Sequence, residues 1–359
     1  KRQVLKSSNK TTYNGNYGLN AQWTVYNGSK RLKTIEQEKL NNRVADLDVA
    51  TSENDIEQSI AQVYIQILYA AESVKVNENT LQVSEAQRDR GKQLLDAGSI
   101  ARSDYAQLEA QVSTDRYQLV TAQATLQDYK LQLKQLLELD GEQEMQVYLP
   151  ALGDENVLSP LPTKTDVFRS AVALRPEIEA SKLSVEASEL GIGIAKSGYL
   201  PSVSLTAGIG TNHTSGSDFT FSEQVKNGWN KYIGLSISVP IFNNRQTKSA
   251  VEKAKLQYQT SQLTLLDEQK TLYKTIEGLW LDANSAQQRY AAAIEKLHST
   301  QTSYELVSEQ FNAGMKNTVE LLTEKNNLLQ AQQELLQSKY MAILNTQLLK
   351  FYQGDKITL

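Results

Sequence analysis

The side chains in this sequence that could move protons or hold a metal are two histidines, His213 and His298, and 41 aspartates and glutamates. Neither group assembles a reaction. The histidines are far apart, one in a polar stretch and one inside a helical pattern, so each reads as solvated or packed. The carboxylates are interleaved with Lys and Gln, the pattern of a solvated helix face with i,i+4 pairs. There is no cysteine, which removes disulfides, thiolate catalysis and most structural zinc sites. No glycine-rich phosphate loop, nucleophile elbow or zinc spacing occurs. Neither an enzyme nor a cofactor is expected. A formal charge of -4 with no run of Lys or Arg argues against nucleic acid as a partner.

The elements are more informative than the reactive groups. Apolar residues make up 40% of the 359 and charged residues 22%, so the chain should fold. Its prolines are Pro150, Pro160, Pro162, Pro176, Pro201 and Pro240, which leaves roughly 27–149 and 241–359 free for long helices. No run of about 18 apolar residues is present, so a membrane-spanning helix is not expected.

The chain also repeats itself. A shift of 216 residues lays Gly18–Asn27 on Gly234–Asn243 and Leu95-Asp96-Ala97-Gly98 on Phe311-Asn312-Ala313-Gly314, without a gap. Each copy reads as strand, long helix, glycine turn and return helix. The first repeat is expected over 1–140, with a strand at about 17–26 and helices at about 29–96 and 100–138. A linker over 141–170 precedes the second repeat, 171–359. That repeat should hold a helix at about 166–198, strands at about 200–211 and 231–242, and helices at about 245–312 and 316–352. Its portion 166–210 has no counterpart in the first repeat, so a further helix and strand are expected ahead of Lys1.

A helix of the first repeat's size would be ~100 Å long at 1.5 Å per residue, so it must lie in a coiled coil or bundle. Tyr105, Val112, Leu119, Leu126 and Leu133 recur every seventh residue. Leu108, Ala122, Tyr129 and Leu136 form a second column, interrupted by Asp115. In the other copy Leu321, Leu328, Leu335, Ala342 and Leu349 are flanked by Leu322, Leu329, Leu336 and Ile343. Doubled columns imply neighbours on two sides, as in the wall of a cylinder.

Three segments alternate with period two. Leu19, Ala21, Trp23 and Val25 face one way in the first; Val203, Leu205, Ala207 and Ile209 in the second; Ile233, Leu235, Ile237, Val239 and Ile241 in the third. The intervening residues are small, polar and uncharged. Segments of about nine residues with that pattern match strands between lipid and a wet lumen. Tyr13, Tyr17, Tyr26, Tyr199, Trp229 and Tyr232 sit near segment ends, where interfacial girdles place aromatics. Too few strands are present to close a barrel alone, so several copies must combine. Residues 211–231, rich in Gly, Ser, Thr and Asn, read as a loop.

With these features in this order, the sequence resembles the TolC family of outer-membrane efflux proteins. The resemblance is carried by Arg175-Pro176-Glu177-Ile178, Tyr199-Leu200-Pro201-Ser202-Val203-Ser204-Leu205, Ser238-Val239-Pro240-Ile241-Phe242-Asn243 and the glycine turns at Gly98 and Gly314. It implies a mainly α fold with a small β part. A long antiparallel coiled-coil α-barrel would join a transmembrane β-barrel completed by trimerisation, with four strands per protomer. An equatorial belt would draw on 138–170 and the C-terminal segment. The implied setting is the outer membrane of a Gram-negative bacterium, with the protein embedded in its lipid and extending into the periplasm. The implied function is the exit duct of a tripartite efflux or type I secretion system, with a periplasmic adaptor (membrane fusion) protein and an inner-membrane pump as partners.

The resemblance further places a constriction just past the glycine turns, with Asp104 and Glu320 each six residues beyond its glycine. Threefold rings of these acids would favour cations and raise their own pKa values by mutual repulsion. Lys316 would hold the closed state, Phe311 would be an aromatic near the tip, and Ser103 a small neighbour of Asp104. Thr323 departs from the pattern, since a second acid can stand there. The plainer reading is that both acids cap the return helices. Gly98, Ser99, Ile100, Gly314 and Met315 would form the adaptor-docking tips, with Ile100 and Met315 as exposed apolar contacts. The alternative from another class is a soluble periplasmic coiled-coil adaptor or tethering protein; a pore-forming toxin is a weaker third.

Overall fold

A computed structural model of the chain describes residues 11–140, 145–150, 153 and 157–357. In chain order the elements are β1 (Asn14–Asn27), α1 (Lys30–Asp96), α2 (Arg102–Leu136), α3 (Lys164–Leu174), α4 (Pro176–Lys196), β2 (Ser202–Thr214), α5 (Phe221–Asn227), β3 (Asn230–Ser238), α6 (Gln246–Asn312) and α7 (Thr318–Gln353). They fall into two compact units, 1–45 with 180–265 and 46–179 with 266–359, and both units draw on α1 and α6. These units cut across the two repeats. None of the described helices is long and apolar enough to cross a membrane. Residues 1–10, 141–144, 151–152, 154–156 and 358–359 of the expected repeats and linker lie outside the described residues.

The duplication is written in the backbone. The helices α1 and α6 both have 67 residues and start and stop 216 positions apart. Each follows a pair of residues with positive φ: Gly28 (67°) and Ser29 (63°) in one copy, Asn244 (49°) and Arg245 (61°) in the other. Each ends in a glycine with positive φ, Gly98 at 73° and Gly314 at 74°. Glycine is suited to such turns because it has no Cβ to clash in the left-handed region.

In the first unit an antiparallel sheet runs in the order β1-β2-β3. Leu19 pairs with Ile209, Ala21 with Ala207 and Trp23 with Leu205; Leu205, Ala207 and Val203 then pair with Leu235, Ile233 and Ile237. These residues form one apolar face, and Leu19, Trp23, Ile233, Leu235 and Ile237 are exposed on it. The opposite face carries Asn20, Gln22, Thr24, Ser204, Thr206, Gly208, Gly234 and Ser236.

Three details correct the expected strands. A bulge between Thr24 and Tyr26 sets Val25 out of register, so Tyr26 and not Val25 pairs with Val203. The third strand stops at Ser238, ahead of Pro240, leaving Val239 and Ile241 beyond the ladder. Tyr232 stands on the polar face, where Gly208 leaves room for its ring and its hydroxyl donates to Asn20 Oδ1 at 3.2 Å. The loop 211–231 also contains α5, which Thr220 and Glu223 start as a capping box.

Helices of this unit pack through small residues. Gln37 donates to the Ala187 carbonyl at 2.7 Å, Ser188 and Ser261 share a 2.7 Å hydrogen bond, and Gly198 lies against Thr247. The single helix expected over 166–198 is two, α3 and α4. Pro176 cannot donate a backbone bond and forces Arg175 into an extended conformation (φ -74°, ψ 126°).

In the second unit Arg175 is buried and its guanidinium lies 4.5 Å from the Phe351 ring centroid and 4.1 Å from that of Tyr352. This pins α3 to the end of α7. The described linker residues are bound to α6: Trp280 donates to the Pro162 carbonyl at 3.0 Å, and Gln287 to those of Val157 (2.9 Å) and Ser159 (2.8 Å).

A Cβ at Gly28 would fall 2.8 Å from Leu200 Cβ and 2.9 Å from the Ser197 carbonyl, whereas one at Gly314 would meet nothing within 4 Å. The Gly314→Ala change therefore tests backbone strain alone, costing about 1 kcal/mol. Gly28→Ala adds a steric clash and should lower the melting temperature further than Gly314→Ala does.

Candidate functional site

The two glycine turns lie in the second unit and share one local geometry. At the first, the Gly98 and Ser99 amides donate to the Leu95 and Leu94 carbonyls at 2.9 and 2.8 Å. At the second, Gly314 and Met315 donate to Phe311 and Gln310, both at 2.9 Å. These are the paired bonds of a left-handed helix stop. Met315 is 71% exposed, as expected of a docking tip, but Ile100 is half-buried.

Both acids expected at the constriction are third residues of the helices they begin. Asn317 caps α7: its side chain accepts from the Glu320 amide at 2.9 Å, and Glu320 accepts from the Asn317 amide at 3.2 Å. Asp104 accepts from the Ala101 amide at 3.2 Å, and Ala101 has no side-chain oxygen to complete the reciprocal bond. The capping role is thus real for both acids. Lys316 Nζ reaches Glu320 Oε1 at 2.5 Å. The Lys316 hydrogen bond, followed by the Asn317 amide, holds the Glu320 carboxyl below the usual carboxylate range. The upward shift expected from a ring of acids has no source inside a single chain.

Ser103 and Thr323 are exposed, and the Thr323 hydroxyl donates to the Val319 carbonyl one turn back at 2.8 Å. Phe311 is not presented outward. It is 3% exposed and packs with Leu108 and Leu321, with Leu94, Tyr304 and Leu322 around them. A small apolar core therefore stands directly behind the turns. Leu108 enters it over Gly91 of α1, where a Cβ would lie 2.3 Å from Leu108 Cδ1.

The main feature that sequence reasoning missed is a buried charge pair. Lys325 Nζ on α7 donates to Asp115 Oδ2 on α2 and to Ser84 Oγ on α1; Ser84 in turn donates to Asp115 Oδ2. Asp115 Oδ1 accepts from Gln111 Nε2 at 2.8 Å. The two charged side chains are 4% and 1% exposed. Burial holds the Lys325 pKa below the ordinary lysine value, outweighing the Asp115 hydrogen bond and charge, which act the other way. The signal was the interruption of a seven-residue apolar column at Asp115; its partner is remote in sequence.

Among the described residues no group of His, Asp and Glu is placed to hold a metal ion. A three-stranded sheet with an uncovered apolar face, joined in sequence to paired antiparallel hairpins with capped tips, defines a protein of long helical hairpins and one small sheet. Residues 1–138 and 167–354 match the family of outer membrane efflux proteins, and the chain belongs to that family. Its place is the outer membrane of a Gram-negative cell.

The chain is 25% identical to the outer membrane protein TolC of Escherichia coli K12 over 336 residues, covering 90% of this chain and 66% of that protein. It is 26% identical over 351 residues to the cation efflux system protein CusC of the same strain, covering 95% and 73%. It thus spans about two thirds of the length of such relatives. Among solved structures, CusC superposes with a TM-score of 0.82 at 20% identity, covering 98% of this chain and 80% of that one. VceC of Vibrio cholerae gives 0.78 at 16% identity, covering 97% and 88%.

Phe311→Ala should destabilise the helical unit by about 3–5 kcal/mol, measured by chemical denaturation, because a ring is removed from a closed cluster. Glu320 has a lowered folded pKa, so its contribution is present above the ordinary carboxylate pKa and lost as pH falls through the folded value. Amide protection at Thr318–Thr323 should decline below about pH 4, and Lys316→Ala should move that decline to higher pH.

Proposed function

We propose that this chain is a protomer of an outer-membrane exit duct, a homotrimeric and passive conduit rather than an enzyme, gated at its helical tips. The observation that carries this reading is the sheet. Its apolar face is uncovered within the protomer, and β1 and β3 each leave one edge without a partner strand among the described residues. Hydrocarbon tolerates the apolar face but not an open edge, because each unpaired backbone group there costs several kcal/mol. Closure through further copies of the sheet satisfies both demands. Exposed apolar residues on α2, among them Tyr117, Val120 and Leu131, would likewise meet helices of another copy.

Tyr17 and Trp229 toward the loop end, and Tyr26 and Tyr199 toward the helix end, would sit at the two lipid interfaces. Trp23 would face the acyl chains.

At the tips Asp104 and Glu320 would serve both as caps and as the charged lining of the constriction, with Lys316 restraining Glu320. The tips around Gly98, Ser99, Ile100, Gly314 and Met315 would receive a periplasmic adaptor protein that links the duct to an inner-membrane pump. Relatives named for cation efflux and for alkaline protease secretion bracket the cargo, from small molecules and drugs to proteins.

Light scattering in detergent, with the detergent contribution subtracted, should give the mass of three protomers. A detergent-free monomer would overturn the reading in favour of a soluble coiled-coil adaptor. In planar bilayers Glu320→Ala and Asp104→Ala should each raise the conductance of the closed channel several-fold and weaken its preference for cations.

A further inference from the structure

We propose that Ser84, Asp115 and Lys325 form a register key, a buried polar contact that fixes the sliding position of α7 against α1 and α2 and so keeps the two glycine tips level. The argument starts from the ambiguity of the seam. Leu321, Leu328 and Leu335 repeat every seven residues on α7, as Val112, Leu119, Leu126 and Leu133 do on α2. Sliding α7 by seven residues brings Leu328 to the level of Leu321 and Leu335 to that of Leu328, so apolar packing alone discriminates poorly between registers. The same slip carries Lys325 about 10 Å along the axis from Asp115. It would leave a buried ammonium and a buried carboxylate unpaired, which is among the most costly defects a core can hold. Only one register meets both the leucines and the charges.

Stability alone gives no reason for the pair, since apolar residues of similar volume often serve as well or better in a core. Its placement suits discrimination. It joins the first repeat, through α1 and α2, to the second, through α7. The positions related by the 216-residue shift are Thr300, Ala331 and Glu109, which cannot form the same contact. The key therefore marks one of two otherwise similar helix junctions. Beside the key, Arg116 of α2 and Glu85 of α1 form a solvent-exposed ion pair, and Tyr304 of α6, which accepts from Gln87 Nε2 at 2.8 Å, lines the adjoining cavity of about 80 Å³ with Lys325, Val83 and Leu329.

The test compares full-length variants in detergent by thermal melting and by hydrogen exchange at Arg102–Val112 and Thr318–Glu324, between the key and the tips. Lys325→Met alone strands the Asp115 carboxylate and should lower the melting temperature. The double variant Asp115→Leu/Lys325→Met removes both charges and should melt no lower than the parent. Its amides in those two segments should nevertheless exchange about tenfold faster, because several registers become populated. Parent-like protection in the double variant would overturn the proposal and leave the pair a replaceable part of the core. Neither readout depends on whether the protein conducts.

Discussion

Everything in this molecule follows from the fact that a 67-residue helix cannot bury its own apolar surface. Without prolines to break them, α1 and α6 must find partners along their whole course, and much of that partnership is with the return helices that the glycine turns send back beside them. Apolar columns on two sides of each helix then demand more neighbours than one chain contains. The sheet faces the same shortage: among the described residues three strands satisfy the backbone of β2 but leave β1 and β3 each half-paired. Self-insufficiency at both levels is the physical ground on which assembly from several copies is proposed.

Regular helical packing brings its own difficulty. Seams built from leucine repeats are adhesive and nearly periodic, so they hold helices together better than they hold them in place. The second unit answers this with irregular contacts spaced along the seam. Arg175 lies against Phe351 and Tyr352 at one end; the linker carbonyls of Val157, Ser159 and Pro162 are gripped by Gln287 and Trp280; Phe311 closes a cluster at the tips. Asp115 and Lys325 lie among these, and each such contact is specific where leucines are not.

Much of the plan was legible in sequence because it rests on spacing. The shift that aligned Gly98 with Gly314 also aligned the helix ends to the residue, since caps and left-handed turns are local chemistry. The break before α4 was obscured because Arg175-Pro176 lies within an otherwise continuous apolar pattern, although the proline gave the physical reason for it. The bulge at Val25 was invisible because Tyr26 continues the apolar row equally well. Tyr232 was assigned to the girdle by type, whereas its side of the sheet is set by register. Lys325 was the hardest to see: its burial depends on Ser84 and Asp115 in the other repeat, and no local window contains all three. Phe311 is legible in sequence as an aromatic near the second glycine turn, but which way it points is a property of packing.

The buried pair has a consequence for inheritance. Positions 115 and 325 lie on different helices of different repeats, yet neither can lose its charge while the other keeps it without stranding an ion in the core. Drift at the two positions is therefore coupled. Among descendants of this chain a lone survivor of the pair should be rare. The positions 216 residues away, Ala331 and Glu109, cannot form such a pair and carry no such coupling, so one contact sets two copies of the same hairpin apart.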